Sequence, residues 1–288
     1  PVYSCGGKNR KFPFRFISWY RAFENFNKIK KENKIDFIHS FWFFEAALLG
    51  SIFSYLFKIP YLNTLMGQDV LKQNKYLSLI PKKNIKFIAI SKRQERIFKE
   101  NSKKEADVIP FGISKKDFLN KSNSEREIDI LGVGSLIELK NYKLFINVIK
   151  NLVETQPDIK CVLIGEGEQK NFLFKLIKEF KLENNIRLTG KLSRKEVFNY
   201  MQKSKNFFHP SKYESLGYVY EEALMFGLTI VSLETGIAEA SNKWKVCKNE
   251  EEIYIQLKQL LKYNLDYTPL VPYPIEDTVK AYFKIYNS

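Results

Sequence analysis

Short apolar runs alternate with longer segments of helical periodicity along most of this chain. The longer segments follow the i, i+3, i+4 spacing of amphipathic helices, and the short runs have the length of β-strands. Strands that alternate with helices are typical of βαβ units, whose strands form parallel sheets. The predicted strands read DFIHS, YLNTL, KFIAI and ADVIPFGI in the first part of the chain, and IDILGVG, IKCVLIG, NIRLTG, NFFHP and LTIVSLE after it. The pattern therefore predicts an α/β protein.

A polar stretch, SKKDFLNKSNSERE, interrupts this alternation and is the best candidate for a linker. Because the strand–helix alternation restarts after it, the sequence predicts two doubly wound parallel-sheet domains, residues 1–118 and residues 127–271. An amphipathic helix is predicted within residues 272–288. Ligands of such sheets bind beyond the carboxyl ends of the strands.

The most apolar run, Phe41–Phe57, contains Glu45 and is short for a membrane span, which needs about 20 residues. A helix buried between the sheet and the rest of the domain is the favoured interpretation. A second aromatic group near the start of the chain also has helical spacing and is expected to be core rather than an acceptor platform. This group consists of Trp19, Tyr20, Phe23 and Phe26.

The stretch KYESLGYVYEEALMFGLTIV places a turn between a strand and a helix. NFFHP is the strand, YVYEEALMF is the helix, and Gly227 is predicted to end that helix in a left-handed conformation. ESLG then lies at the helix N-terminus, where unpaired N–H groups and the helix dipole favour anions. Gly217 allows a ligand to approach the backbone closely. The turn is therefore a candidate phosphate site.

Two glutamates flank this turn. Glu214 precedes it, and Glu222 lies about one turn inside the helix, where a carboxylate accepts hydrogen bonds from a vicinal diol such as a ribose. This spacing suits a nucleotide-linked substrate. On spacing alone, a surface loop residue at Glu214 and a solvated helix face at Glu221 and Glu222 are equally good interpretations.

The stretch resembles the E-x7-E motif of retaining glycosyltransferases of the GT-B fold, glycosyltransferase family 4. Other segments resemble that family in register, and the resemblance covers most of the chain. The family's first strand and Gly-rich loop are missing, which predicts an N-terminally truncated chain. The matching segments include LGVGSLIELKNYKLFINVI, VLIGEGEQK and IRLTGKLSRKEVFNYMQKS in the second domain, and DFIHSFW, IPYLNTLMGQDV and VIPFGISKKDF before it.

The resemblance implies two Rossmann-like domains that face a cleft, and transfer of a sugar from a nucleoside-diphosphate donor with retention at the anomeric carbon. It implies neither a metal nor a cofactor. Glu214 and Lys140 are the implied catalytic residues: Glu214 contacts the donor sugar and Lys140 neutralises the diphosphate. Glu222 holds the ribose. The remaining implied donor-binding residues are Gly134, Ser135, Gly190, Lys191, Leu192, Ser215, Leu216 and Gly217, of which Gly190 to Leu192 face the base, and the implied acceptor or sugar-side residues are Gly67, Gln68 and Asp69. The resemblance also implies that residues 272–288 pack back on the first domain.

Two positions depart from the family pattern. Ser135 stands where the family usually has arginine, so that the diphosphate depends more on Lys140, the helix end and Lys143. Met66 stands where a histidine is frequent, which leaves the polar role to Gln68 or Asp69. These departures keep an alternative open, in which the chain is a non-catalytic GT-B binding subunit of a glycosyltransferase complex.

The distribution of charge along the chain indicates which classes of partner it attracts. The chain has 47 basic and 32 acidic residues, and 25 and 11 of them lie within residues 1–126. A cationic first half attracts anionic partners, although a lysine-rich composition also simply solvates helices. The expected partners are a nucleotide sugar, a glycan or lipid-linked acceptor, and an anionic membrane surface. No nucleic-acid motif is present, so nucleic acid is not an expected partner.

The three cysteines are widely spaced and form neither a disulfide framework nor a zinc pattern, which favours a cytoplasmic protein. The cationic first half favours a peripheral location at the inner membrane face. Two histidines offer little material for a metal site. His209 is interpreted as a packed or hydrogen-bonded imidazole at the end of a strand, and His39 as either structural or cleft-facing.

Overall fold

The computed structural model describes residues 2–3, 5, 15–81, 83–114, 116, 125–263 and 265–287. The chain forms two compact units, Pro1–Ala89 with Glu95–Val108, and Ile90–Gln94 with Ile109–Ser288. The predicted linker falls largely outside the described residues, so the predicted domain limits stay a prediction, as does the packing of residues 272–288 on the first domain.

The first unit contains a four-stranded parallel sheet with the order β1-β2-β3-β4. All four residues of its second strand are buried, as expected for a strand covered on both faces. The helices and strands are α1 (Arg15–Glu32), β1 (Ile38–Phe41), α2 (Glu45–Phe57), β2 (Tyr61–Thr64), α3 (Tyr76–Leu79), β3 (Ile85–Ala89), α4 (Lys92–Ser102) and β4 (Asp107–Val108).

The apolar run at Phe41–Phe57 is not helical throughout. Its first residue ends β1, and α2 begins only at Glu45, because Phe43 turns into the core with no exposed surface. The helix packs on α1 through Phe26, which stacks on Phe53 with ring centroids 4.4 Å apart. Its opposite side is exposed, so the expectation of a fully buried helix is wrong. No helix within the described ranges is both long and apolar enough to cross a membrane.

The aromatic group of α1 is also only partly core. Phe26 packs against α2, whereas Tyr20 is 61% exposed and Phe23 is 38% exposed. Helical spacing therefore predicted the element but not which of its faces is covered.

The predicted strand ADVIPFGI shortens to β4, which has two residues. Pro110 cannot donate a ladder hydrogen bond, and the chain then leaves the sheet. The N–H of Ile113 donates to the carbonyl of Tyr273 at 3.0 Å, and a Cβ on Gly112 would lie 2.4 Å from that same oxygen. Close backbone packing therefore requires glycine at position 112.

The second unit contains a six-stranded parallel sheet with the order β10-β9-β8-β5-β6-β7. Helices cover both faces, and two clusters of buried apolar side chains lie against them. Its elements are β5 (Ile128–Val133), α5 (Tyr142–Val153), β6 (Cys161–Ile164), α6 (Lys170–Glu179), β7 (Ile186–Gly190), α7 (Arg194–Gln202), β8 (Ser204–His209), α8 (Tyr218–Met225), β9 (Thr229–Leu233), β10 (Trp244–Cys247), α9 (Glu250–Leu260) and α10 (Ile275–Tyr286). The two parallel-sheet α/β units confirm the predicted fold class.

The strand order of the second unit reverses between β5 and β8, which are neighbours at the centre of the sheet. From β5 the chain proceeds outward to β6 and β7, and from β8 it proceeds the other way. Loops diverge at such a switch point and leave a crevice beyond the carboxyl ends of the two strands. The loops that follow β5 and β8 are those that carry the predicted catalytic residues.

Candidate active site

Glu214, Lys140 and His209 meet at the switch point. The Oε1 atom of Glu214 accepts hydrogen bonds from the Nζ atom of Lys140 and from the Nε2 atom of His209, the latter at 2.8 Å. The Glu214 side chain is 12% exposed and that of Lys140 is 19% exposed. The structure thus brings together the two predicted catalytic residues, although they are 74 positions apart in the chain.

These contacts determine the ionisation of Glu214. Burial raises its pKa, but the hydrogen bond from His209 and the positive charge of Lys140 outweigh burial and lower the pKa to about 2. The carboxylate is therefore an anion at neutral pH. The Oε1 atom accepts both of these hydrogen bonds, so that Oε2 is the oxygen left for a ligand hydroxyl.

His209 is a buried and hydrogen-bonded imidazole at the end of β8, as the sequence indicated. It is 1% exposed, and burial lowers its pKa below the usual value, so the ring is neutral at pH 7. A carboxylate only accepts hydrogen bonds, so the proton must lie on Nε2, which donates to Glu214. The sequence showed His209 at the end of a strand but not its contact with the motif glutamate, because that contact depends on how the loop after β8 folds back.

The loop between β8 and α8 is held from two sides. The N–H of Gly236 donates to the carbonyl of Glu214 at 3.1 Å, and the N–H of Ile237 donates to the carbonyl of Leu216 at 3.1 Å. The Oγ atom of Ser91 donates to the carbonyl of Ser215 at 2.6 Å. With its carbonyl groups bound on the protein side, the loop has a fixed shape before any ligand arrives.

Gly217 adopts a left-handed conformation, with φ 85°, at the start of α8. A Cβ there would lie 2.5 Å from the ring of Tyr220, so both the conformation and the space require glycine. No side chain among the described residues caps this helix end. The positive end of the helix dipole favours an anion there, and anion binding at this turn stays a prediction.

The loop after β5 contributes the other predicted phosphate-site residues. Gly134 follows the strand, and a Cβ there would lie 2.6 Å from the hydroxyl of Tyr142, which is why a side chain does not fit. Ser135 is exposed, as a ligand-facing hydroxyl requires. Lys140 closes a short 3-10 turn, and the following Asn141 has φ 56°, which directs the chain into α5.

The predicted ribose residue and the predicted base loop also lie together. The Nε atom of Arg194 lies 3.1 Å from the Oε1 atom of Glu222, whose side chain is 15% exposed. Arg194 begins α7, and only Ser193 separates it from Leu192. Glu222 is therefore close to the stretch that is predicted to face the base. Arg194 was not among the predicted residues, because no local pattern connects it to Glu222.

Glu221 differs from both motif glutamates. It has no exposed surface, and neither carboxylate oxygen has a hydrogen-bond partner among the described residues. Burial and the neighbouring charge of Glu222 raise its pKa to about 8. Glu221 is therefore protonated at neutral pH, and it does not solvate a helix face as one interpretation of the spacing supposed.

The three predicted acceptor-side residues lie in a loop of the first unit. The Asp69 side chain has no exposed surface and accepts hydrogen bonds from the N–H groups of Phe43, Met66 and Gly67 at 2.8 to 3.1 Å. Gln68 is exposed and Gly67 is buried. Asp69 therefore shapes the loop, and Gln68 is the member of the three with a side chain in solvent.

A cavity of about 710 Å³ lies at the other end of the strands of the six-stranded sheet, near the amino ends of β5, β6 and β7. Its lining includes Ile128, Cys161, Arg187 and Lys203. None of the predicted donor-binding residues lines it, so it is separate from the switch-point site.

Comparisons with known proteins identify the family and the fold of the chain. A curated relative, an uncharacterised glycosyltransferase of Methanocaldococcus jannaschii, is 29% identical over 233 residues, which are 77% of this chain and 63% of the relative. The chain thus spans less than two thirds of that relative's length. Among solved structures, a glycosyltransferase from Rickettsia africae ESF-5 has a TM-score of 0.73 at 17% identity, with 97% of this chain and 83% of that chain covered.

A second solved structure is a variant of S. aureus TarM in complex with Fondaparinux, alpha-GlcNAc-glycerol and UDP. Its TM-score is 0.68 at 17% identity, and the likeness covers 82% of this chain and 54% of that one. At such identities the likeness shows the fold, which is GT-B. A family model described as glycosyl transferases group 1 matches residues 114–263, more than half of the 288 residues. The chain belongs to the glycosyl transferases group 1 family.

Proposed function

We propose that this chain is a retaining, metal-independent glycosyltransferase that transfers a sugar from a nucleoside-diphosphate donor to a glycan or lipid-linked acceptor in surface polysaccharide biosynthesis. The observation that carries the proposal is the ionised Glu214, held by Lys140 and His209 at the switch point of the second sheet. UDP bound to the structurally similar TarM supports a nucleotide of this class.

In this proposal the diphosphate lies between Lys140 and the start of α8. Negative charge grows on the nucleoside diphosphate as the glycosidic bond breaks, and both groups are fixed before the reaction. Preorganised charge of this type is usually the largest catalytic contribution. Lys140 and the helix dipole supply the positive charge that a metal ion supplies in other enzymes.

Glu214 is proposed to orient the donor sugar and to stabilise positive charge at its reacting carbon. A pKa of about 2 makes it an anion across the physiological range, so it is not a proton donor. Glu221 is protonated but fully buried, so it does not reach a substrate. Neither of these two glutamates is therefore an accessible acid, which favours a front-face route, in which the departing phosphate takes the acceptor's proton, over hydrolysis by paired carboxylates.

The alternative, a non-catalytic binding subunit, rests on Ser135 and Met66. It is less well supported because Glu214 pairs with Lys140 and Glu222 lies beside Arg194, both within the second unit. Activity that emerges only after Ser135→Arg, with none in the natural chain, would favour the subunit.

Location at an anionic inner membrane face is part of the proposal. It is supported by the 25 basic and 11 acidic residues within residues 1–126. Such attraction falls with salt, so binding to phosphatidylglycerol vesicles is expected to weaken as the salt concentration rises.

Calorimetric titration with UDP and GDP tests the donor site. Replacement of Lys140 by methionine is expected to weaken binding of the preferred nucleotide by about tenfold or more, which corresponds to loss of one charge-assisted contact. The matched control is Lys205→Met, because Lys205 also pairs with a carboxylate, Asp129 at 2.7 Å, but at the amino end of the same sheet. Equal weakening by both replacements would contradict the assignment.

A further inference from the structure

Trp42 is the first residue after β1, at the carboxyl end of a strand in the first unit. Its indole is 44% exposed. A large apolar side chain in solvent at this edge of a parallel sheet lies where α/β proteins place ligand-binding groups. The predicted donor-binding and acceptor-side residues do not explain why this indole is exposed.

The backbone of Trp42 is strained. Its φ is 70°, in the left-handed region that bulky side chains rarely adopt. Glycine would occupy this position without strain, and the chain nevertheless has tryptophan. Strain of this type persists only where the surroundings impose it, and it is concentrated at functional sites.

The surroundings of Trp42 do impose it. The Trp42 N–H donates to the carbonyl of Thr64 at 3.0 Å, and its carbonyl accepts from the Nδ2 atom of Asn63 at 3.2 Å. The next residue, Phe43, is fully buried, and its N–H donates to the Oδ2 atom of Asp69 at 2.8 Å. Because Phe43 is directed into the core and Trp42 is held on both sides, the indole is forced outward.

The indole lies against the predicted acceptor-side loop. An ideal Cβ on Gly67 would lie 2.7 Å from the Cζ3 atom of Trp42 and 2.9 Å from its Cη2 atom. The ring edge therefore packs directly on the glycine, and Phe44 is nearly parallel to the indole, with an interplanar angle of 16° and centroids 6.1 Å apart. Gln68, the next residue of that loop, supplies an exposed amide beside the loop glycine.

We infer that Trp42 is a carbohydrate-stacking platform that binds one pyranose ring of the acceptor glycan. A flat, rigid, half-exposed aromatic ring fits the apolar C–H face of a sugar, and a neighbouring amide fits its hydroxyl groups. The inference rests on the proposed function, since it identifies a subsite for the acceptor. It concerns the first unit alone, whereas the donor assignment concerns the second.

Saturation-transfer difference NMR with millimolar N,N′-diacetylchitobiose, maltose and lactose tests the platform. At least one of these probes is expected to bind, and Trp42→Ala is expected to weaken that binding by about tenfold, the loss of one buried aromatic contact. Trp42→Phe, which keeps an aromatic face, is expected to recover most of the affinity. Gly67→Ala is expected to weaken it as well, because the new methyl group displaces the indole.

Tyr55→Ala is the matched control, since Tyr55 is an 85% exposed aromatic residue on α2. Unchanged sugar binding by Tyr55→Ala and lost binding by Trp42→Ala, with equal melting temperatures, would support the platform. Binding of no probe by the natural chain, or equal binding by Trp42→Ala, would overturn it. A melting temperature that falls in both Trp42→Ala and Trp42→Phe, with sugar binding intact at low temperature, would also overturn it and identify Trp42 as a packing residue.

The donor titration separates this inference from the proposed function. If UDP and GDP fail to bind while sugar binding still depends on Trp42, the donor assignment fails and the platform stands. If the nucleotides bind through Lys140 and sugars do not depend on Trp42, the platform fails alone. Where transfer is measurable, Trp42→Ala is expected to raise the acceptor KM and to leave donor hydrolysis unchanged.

Discussion

The loop after β8 and the helix that follows it hold two glutamates in opposite states. Glu214, in the loop, is 12% exposed and has a pKa lowered to about 2. Glu221, in α8, has no exposed surface and a pKa raised to about 8. They are separated by seven positions in the chain, and both are withdrawn from water.

The difference teaches that burial alone does not decide the ionisation of a carboxyl group. Glu214 has a lysine and a histidine as donors, whereas Glu221 has no hydrogen-bond partner within the described part of the chain and the negative Glu222 beside it. Asp69 represents a third arrangement, because its donors are backbone N–H groups. Of these three carboxyl groups, Glu214 is the one that pairs with a cationic side chain, that of Lys140.

The largest expected effect is on turnover. Glu214→Gln removes the negative charge while it keeps the size of the side chain, so donor hydrolysis and sugar transfer are expected to fall by about 100-fold to 1000-fold. Initial rates with a radiolabelled nucleotide sugar measure this. Asp129→Asn, at the amino end of the central strand β5, is the control and is expected to leave the rate unchanged. Full turnover by Glu214→Gln would contradict the catalytic role proposed for Glu214.

The second prediction concerns Glu221 and stability. Between its usual pKa of 4.5 and the raised value of about 8, the unfolded chain releases a proton that the folded chain keeps. Ionisation of Glu221 therefore disfavours folding, and the free energy of unfolding falls as the pH rises through this window. The free energy of unfolding of Glu221→Gln is expected to exceed that of the natural chain by about 3 to 5 kcal/mol at about pH 9 and to equal it at about pH 4.

Scanning calorimetry at the two pH values measures this difference through the transition of the second unit. Glu222→Gln is the informative neighbour, because its removal takes away a like charge and should lower the pKa of Glu221. If the difference in melting temperature between Glu221→Gln and the natural chain were the same at both pH values, the buried, protonated state of Glu221 would be contradicted.

The third prediction concerns Asp69. Asp69→Asn replaces an acceptor oxygen by an amide that faces backbone N–H groups, so at least one buried donor loses its partner. The first unit is expected to be destabilised by about 2 kcal/mol, the usual cost of a buried unsatisfied group. Urea unfolding followed by tryptophan fluorescence reports the change, since Trp19 and Trp42, two of the three tryptophans, belong to the first unit. Gln68→Glu is the control, since Gln68 is exposed and is expected to leave the midpoint in place.

The smallest expected effect is a shift in pH dependence. His209→Phe removes the Nε2 donor from Glu214, so the pKa of Glu214 is expected to rise from about 2 toward its usual value of 4.5. Loss of activity on acidification should then begin at a higher pH in the variant, by about one pH unit. A pH–rate profile of donor hydrolysis measures this. A uniform loss of rate at every pH would instead indicate that His209 only supports packing.

The α/β fold was predictable from local patterns, whereas the donor-side residues follow from the family resemblance and stay a prediction. Strand-length apolar runs and Gly227, with φ 77°, determine the β8–α8–β9 unit, and that unit places Glu214 beside the start of α8. The Arg194–Glu222 pair was not predictable, because 28 positions separate the two residues and no periodicity connects them. The late start of α2 was also missed, since a fully apolar run gives no sign of where a strand ends and a helix begins.

The sequence by itself determined two α/β units and the glycine turn at the start of α8, because short-range periodicity and turn chemistry decide which segments become strands, helices and glycine turns. Only the tertiary structure decided that Lys140 and His209 share one oxygen of Glu214, that Glu221 is buried without a donor, and that Trp42 is held outward in a left-handed conformation. These properties depend on groups that are distant in the chain and close in space, and local sequence carries no record of such distances.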